Sequence, residues 1–543
     1  MGINKKYFLF VIILLAFLLR FYRLGSYPAL NADEAAIGYN AYSLIQTGMD
    51  EHGNPWPIHF QSFNDFKPGL YFYLVLPFVK ALGLNEWAVR IPGALAGVGT
   101  VAVLYYLVKR QFSDEKLALV SSLFLAISPW HIHFSRGGWE VNVATFFITL
   151  GIWLFLKALE SPKYYLLCVI SFVLSLYTYH AARIIVPLLV IGSSLIYRKE
   201  IRPNIKAFII SGVIALTLLA PLGFDLTRGE VDSRVAGVGL FADKGPIARI
   251  NEQRGEHGNY GSLTAKLLHN KVVNYSLAFL ENWSQHYWGE FLFLTGDVIQ
   301  RNRVPETGQM YLFDLIFVVA GLVAIARKSS GKWGLIILWL VVAPFAAALT
   351  FQSPHALRAQ NMVIPLVIIS AFGFVTIIDW LNKVLHRPHL LYTTYFILFL
   401  LVGWNFARYL HMYYKHMSKE YPFSSQYGVK DLVSYIREKG GNYDKIIVTD
   451  RYDQPYIFFL FYMKYPPAKF QGEHVLTPRD QFGFSTVRNF DKYYFEPIVY
   501  DRTRVDNPGS LIVGTPQEIP KEANIVKKIY GSNGYLYFEA VAN

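Results

Sequence analysis

The chain has 543 residues, 53% of them hydrophobic and only 16% charged, with a mean hydropathy of +0.29. Soluble domains carry about a quarter charged residues, so this composition excludes an ordinary globular protein and points to one that crosses a membrane repeatedly. The net charge of +13 would suit nucleic acid, but the Lys and Arg sit mostly in short loops between apolar runs, the pattern of inner loops facing anionic lipid.

Residues 7–19 follow Lys5-Lys6 like a signal peptide, but no small-residue cleavage site follows and Arg20 and Arg23 come next, so an uncleaved first span is expected. Further apolar runs lie at about 88–108, 117–134, 143–158, 164–180, 183–197, 206–224, 311–326, 333–351, 361–380 and 390–409, about eleven spans in all. Several fall short of the ~20 residues a spanning helix needs. The apolar stretch 70–83 reads as a helix in the interface. Cys168, the only cysteine, lies inside an apolar run and reads as core; no internal disulfide or Cys-x-x-Cys metal site can form.

With a cytoplasmic amino terminus, the inner loops collect Lys109, Arg110, Lys116, Arg198, Lys199, Arg202, Arg327, Lys328, Lys332 and others, while outer bases are few and stand beside His or acids. The outer loops are then 25–86 and 225–310. Within the second, the Gly- and Asn-rich 228–262 is a loop or lid and 264–281 an amphipathic surface helix. Asn274 and Asn282 head glycosylation sequons, which matter only in a eukaryotic host. From about 415 the composition turns soluble: a helix at 428–439, strands at 445–449, 511–513 and 535–540, hence an α/β domain over 415–543. An odd number of spans leaves it outside. No GxGxxG, P-loop, nucleic-acid motif or repeat is present.

The chemistry concentrates on the outer side. Asp33-Glu34 follows Asn31 as the acids of a helix start would, with Glu34 placed for a capping box. A capped helix start also holds a carboxylate rigidly enough to act as a general base. Neighbouring helix residues point about 100° apart, so one acid is the base and the other a partner for a cation. Lys67-Pro68-Gly69 sets a turn before an apolar stretch, putting an ammonium near headgroup depth, where it can hold a phosphate; a lone interfacial lysine otherwise just snorkels. The 128–142 turn carries His131, His133, Arg136 and Glu140. The two histidines could ligate metal, but an isolated His-x-His is more often hydrogen-bonded structure, and Arg136 and Glu140 could simply pair. Two further outer turns repeat the combination of His and Arg, with His180 and Arg183 and with His355 and Arg358. Ionisable groups at a membrane boundary are costly unless paired or used, and Arg suits phosphate.

A first span leading into Asp33-Glu34, then Lys67-Pro68, then RIPGALAGVGTVAVLYYL at 90–107 and SPWHIHFSRGGWEVN at 128–142, resembles the GT-C membrane glycosyltransferases of the protein O-mannosyltransferase and aminoarabinose-transferase type, the RgtA/B/C/D-like branch above all. The resemblance covers roughly 1–410. It implies a polytopic α-helical membrane domain over 1–414 and a polyprenyl-phosphate-linked sugar as donor, transferred with inversion to a glycan, lipid or protein acceptor. Asp33 matches the catalytic acid, with Glu34 beside it. Lys67 matches the phosphate lysine, although Gly69 replaces a second proline. Arg136 and Glu140 resemble the second-loop Arg and acid, although Glu replaces the commoner Asp. Lys67, Arg136, Arg183 and Arg358 are then the phosphate-binding candidates, in the plasma membrane of a prokaryote with the site outside. No cofactor is assigned, and a divalent metal is left open. The alternatives are an oligosaccharyltransferase, whose Trp-Trp-Asp signature is absent from the soluble domain, and a flippase or transporter of lipid-linked sugars, which would want charges deep in the spans.

Overall fold

Each of the apolar runs is helical in the computed structural model, which describes residues 5–227, 237, 239–328, 331–480 and 483–543. Among the described residues six helices are long and apolar enough to cross a membrane, or seven if one bent pair counts as a span. The other runs form shorter helices, such as Tyr164–Thr178 and Ala182–Ile196, which is why a count by length falls below eleven. The chain makes two compact units. The first comprises Met1–Arg20, Leu95–Ser135 and Glu140–Leu410; the second comprises Phe21–Ala94, Arg136–Trp139 and His411–Asn543.

The first unit is helical. Its apolar surface is turned outward where lipid would lie: in the Arg198–Leu226 helix only 11% of the apolar window is buried inside the protein. The run expected as one span at 117–134 is broken. Glu115–Ile127 and Pro129–Ser135 meet at 57°, because Pro129 has no N–H to continue the ladder. Buried Arg20 meets the carbonyls at this break, donating to Leu125 O (3.3 Å) and Ala126 O (3.1 Å). In the polar segment 225–310, Gly245–Glu256 is a helix rather than the expected loop, and 228–236 lie outside the described residues. The expected surface helix at 264–281 is two helices, Leu263–Leu268 and Lys271–Gln285, because Asn270 caps the second by accepting from Val273 N (3.1 Å).

The second unit joins the loop expected over 25–86 to the six-stranded sheet. The loop contributes the Ala32–Thr47 helix, a hairpin of β1 (His59–Ser62) and β2 (Asp65–Pro68), and the Leu70–Leu82 helix. The six-stranded sheet comprises β3 (Ile446–Thr449), β4 (Asn489–Phe490), β5 (Tyr493–Glu496), β6 (Leu511–Gly514), β7 (Ile525–Tyr530) and β8 (Leu536–Ala542), in the order β4-β5-β3-β6-β8-β7. Strand β3 runs parallel to β5 and β6, and the other pairs are antiparallel. The expected strands at 445–449, 511–513 and 535–540 are β3, β6 and β8, and the expected helix at 428–439 is Val429–Lys439. Strands β4, β5 and β7 were not legible: β4 has two residues, and Lys527-Lys528 break the pattern of edge strand β7.

After β3 the chain enters Pro455–Met463, a helix of aromatic residues that packs on Ala32–Thr47. The approach depends on Gly38. A Cβ there would stand 2.6 Å from Phe461 Cε2 and 2.7 Å from Val89 Cγ2. Gly38→Leu should therefore overpack this seam, at a cost of about 1–3 kcal/mol, and lower the thermal unfolding midpoint of the purified protein.

Candidate active site

The site grows from one helix start. Asn31 caps Ala32–Thr47: its side chain accepts from Glu34 N (2.9 Å), and the Glu34 side chain accepts from Asn31 N (3.1 Å), closing the expected capping box. Glu34 is buried and does more. Arg90 grips it with a two-pronged fork, Nε to Oε1 (2.6 Å) and Nη2 to Oε2 (2.8 Å), and Gly138 N donates to Oε1 (2.8 Å). The rest of the guanidinium donates to the carbonyls of Leu24, Pro28 and Ala29 at 2.8–3.1 Å. With its oxygens so occupied, Glu34 holds three chain segments together and has no lone pair spare for a substrate proton.

Asp33, one residue earlier, faces elsewhere. Its side chain keeps 25% exposure and accepts a hydrogen bond from Lys67 Nζ at 2.5 Å. Lys67 sits on β2 opposite Phe60, in a strand rather than the expected turn. Gly69 N, just after it, bonds to Ile58 O (2.9 Å). The hairpin turns through Phe63 and Asn64, both at positive φ (56° and 57°), as a two-residue hairpin of the primed type requires. This costs a phenylalanine of order 1–2 kcal/mol. The carboxyl-terminal segment holds the turn: Ser485 N donates to Phe63 O (2.9 Å), and Arg479 Nη2 to Asn64 O (3.2 Å). The Phe63 ring in turn lies 5.1 Å from Lys67 Nζ.

The other expected phosphate ligands are engaged as follows. Arg136 is fully buried; it donates to Tyr22 O (2.7 Å) and Tyr27 O (3.2 Å) and lies over the Tyr413 and Tyr414 rings. That environment fits a cation that fixes the chain after the first helix better than one that meets a phosphate. Arg183 and Arg358 belong to the first unit. Arg183 pairs with His180 Nδ1 (3.1 Å), and Arg358 donates to Thr350 Oγ1 (2.7 Å). His355 N donates to His286 Nε2 (3.1 Å), beside an Asp297 carboxylate that also receives Ala356 N (2.6 Å). His131 is buried against Arg20 (2.6 Å), and His133 Nε2 meets Arg301 O (2.9 Å) on the short helix after the break. Glu140 opens the Glu140–Ala158 helix. Of the expected residues the second unit thus brings Asp33 and Lys67 into direct contact, with Glu34 beneath them.

Sequence reasoning passed over Arg90, although it lies in the quoted 90–107 stretch, because its partner is 56 residues away. It also passed over the loop that closes Ala32–Thr47. There Asp50 accepts from His52 N and Asn54 N (2.9 Å each), and Gln471 Nε2 donates to Asp50 O (2.7 Å), tying the loop to the carboxyl-terminal segment. The run Asp50-Glu51-His52 was the one available signal. Among the described residues no three His, Cys, Asp or Glu side chains are grouped to hold a metal ion.

Comparison with known proteins bears on what this arrangement is for. Residues 67–224 match the dolichyl-phosphate-mannose-protein mannosyltransferase family. The chain is 29% identical over 154 residues to the putative mannosyltransferase YkcB of Bacillus subtilis, a match covering 28% of this chain and 21% of that protein. It thus spans about a fifth of that relative's length. Its fold resembles that of ArnT from Cupriavidus metallidurans bound to undecaprenyl phosphate, with a TM-score of 0.56, 11% identity and coverage of 99% of this chain and 98% of that one. It also resembles the archaeal oligosaccharyltransferase AglB from Archaeoglobus fulgidus in complex with an inhibitory peptide and a dolichol-phosphate, with a TM-score of 0.52, 13% identity and coverage of 84% and 63%.

The buried fork gives a prediction that needs no substrate. Arg90→Leu leaves the Glu34 carboxylate buried without its cation, which should destabilise the protein by about 3–5 kcal/mol, read as a lowered unfolding midpoint.

Proposed function

Taking as premise an integral membrane protein of GT-C fold with mannosyltransferase-family sequence over 67–224, we propose that this protein transfers a sugar from a polyprenyl-phosphate donor to an acceptor hydroxyl on the outer face of the membrane. The observation that carries the reading is the contact between Asp33 and Lys67 on a helix start locked by Glu34 and Arg90. Asp33 removes the proton from the acceptor hydroxyl as its oxygen attacks the anomeric carbon. The bond from that carbon to the phosphate oxygen breaks on the opposite side, so the configuration inverts. Lys67 meets the charge growing on the departing polyprenyl phosphate.

The pairing suggests an order of events. With no donor bound, the ammonium lies against Asp33 and occupies the lone pair the base needs. A donor phosphate competes for that ammonium, and as Lys67 turns to it the carboxylate is freed to accept a proton. Binding the donor thus switches on the base. The undecaprenyl phosphate bound to ArnT and the dolichol-phosphate bound to AglB support a polyprenyl carrier here. The bacterial relative supports a plasma-membrane enzyme of a prokaryote. The charges of the short loops support a cytoplasmic amino terminus, with the site and the 415–543 sheet outside.

Asp33→Asn keeps the shape but cannot take the proton. Turnover of a polyprenyl-phosphate sugar should fall at least about a hundredfold, with donor affinity kept or raised because the ammonium no longer has to leave a carboxylate. Lys67→Met should weaken donor binding and slow transfer. Glu34→Gln should act through stability rather than through the chemical step. A carrier that merely moves the lipid-linked sugar across the membrane would keep its transport rate in Asp33→Asn and form no glycoside, which would sink the transferase reading. A periplasmically active reporter fused after Asn543 should be active, and one active only in the cytoplasm should be silent.

A further inference from the structure

Next to the proposed base and lysine lies a second polar centre that the mechanism does not use. Glu51 is 0% exposed, and its carboxyl oxygens, eased by the Asn40 side chain, have no well-formed hydrogen bond among the described residues. Its backbone is fixed, with Glu51 N donating to Asn40 Oδ1 (2.8 Å), while the Asn40 amide donates to Ala36 O (2.9 Å). His52 Nε2 stands 3.5 Å from Glu51 Oε1 and is also without a hydrogen-bond partner, because its Nδ1 is taken by His474 Nε2 (2.8 Å). The Tyr456 hydroxyl is buried and unpartnered too, and it feels the Glu51 charge. A buried carboxylate, a ring nitrogen beside it and a buried phenol, none with a well-formed hydrogen bond, are uncommon in a native interior, where buried polar groups are nearly always paired.

Burial, with Asp50 beside it, pushes the Glu51 carboxyl well above the usual carboxylate range, and the Lys67 ammonium is near enough to oppose that shift. Burial and His474 push His52 down to about 3, so this imidazole is neutral. The cluster therefore offers acceptors, a neutral ring nitrogen and a phenol. It suits neutral hydroxyls and offers no cation to hold a phosphate.

We propose that Glu51, with the Tyr456 hydroxyl beside it, forms the subsite for the ring hydroxyls of the donor sugar, accepting hydrogen bonds from one hydroxyl or a vicinal pair. This rests on the transferase reading above. The donor's sugar is favoured over the acceptor because Lys67 acts on both places: it is the proposed phosphate ligand, and its charge reaches Glu51. The anomeric carbon is bonded directly to a phosphate oxygen, so what lies next to the phosphate lysine is the sugar of the donor. The same geometry gives the 415–543 segment a task. Tyr456 follows the carboxyl end of β3, where the flanking strands β5 and β6 lead away to either side, the place where α/β sheets present ligand-binding loops.

The test uses the full-length purified protein, polyprenyl-phosphate mannose and its 2-, 3-, 4- and 6-deoxy analogues. In the wild type, loss of the contacted hydroxyl should lower kcat/KM about tenfold to a hundredfold, as for a buried polar group left without its partner, with the other analogues close to the parent. In Glu51→Leu, which removes both acceptor oxygens, and in Tyr456→Phe that selective penalty should shrink to within about threefold, because the partner is already gone. A merely structural Glu51 would lower every donor's rate equally and keep the penalty, and that result overturns the proposal. So does a wild type that tolerates every analogue, whether or not the variants fold. If the wild type consumes no polyprenyl-phosphate sugar of any kind, the transferase reading falls and the subsite falls with it; a wild type that turns over mannose without the selective penalty sinks the subsite alone.

Discussion

The buried fork between Arg90 and Glu34 is the constraint on which the rest of the second unit depends. A carboxylate out of water is tolerable only when paired and hydrogen-bonded, and Glu34 meets that condition with the guanidinium, the Gly138 amide and the Asn31 amide. Three distant pieces of chain must arrive for the pairing to close. Once closed it fixes the first turn of Ala32–Thr47, and with it the direction of the adjacent carboxylate. Two neighbouring acids so acquire opposite lives, one sealed into the scaffold and one left at the solvent edge.

The lysine is positioned by a different device. A two-stranded hairpin alone is marginal in water, and this one turns through a phenylalanine at positive φ. It persists because Ser485 and Arg479 clasp its tip and Gly69 closes its base on Ile58. The ammonium is thus presented by a strand braced at both ends, a more exact mounting than the loose interfacial lysine from which it is indistinguishable in composition.

Local signals were legible and distant pairings were not. Asn31 to Glu34 announces a capped helix, so Asp33 and the capping box followed from sequence rules, and Lys67 followed from its place before an apolar stretch. Buried strands β3 and β6 declared themselves as short apolar runs, whereas β7, with lysines along an edge, did not. The break at Pro129 was hidden because hydropathy does not register a missing N–H, and the compensating Arg20 lies over a hundred residues earlier. The assignment of the outer arginines to one phosphate rested on shared loop character. In the structure Arg136 is absorbed by Tyr22, Tyr27 and the Tyr413 ring, a role set by partners nearly 300 residues apart. Glu51 and Tyr456 belong to the same category, since nothing in either neighbourhood of the sequence announces the other.

The clasp on the hairpin tip has a consequence for the order in which the protein is made. The acid and the lysine emerge from the ribosome before Ser485 and Arg479, which brace the turn and come some four hundred residues later. At 5–20 residues per second the loop waits on the order of tens of seconds for its clasp. During that interval the apolar helices of the first unit are being threaded into the bilayer. A chain interrupted before Ser485 would leave the lysine on an unsupported hairpin, so the later segment acts as a check on the earlier one.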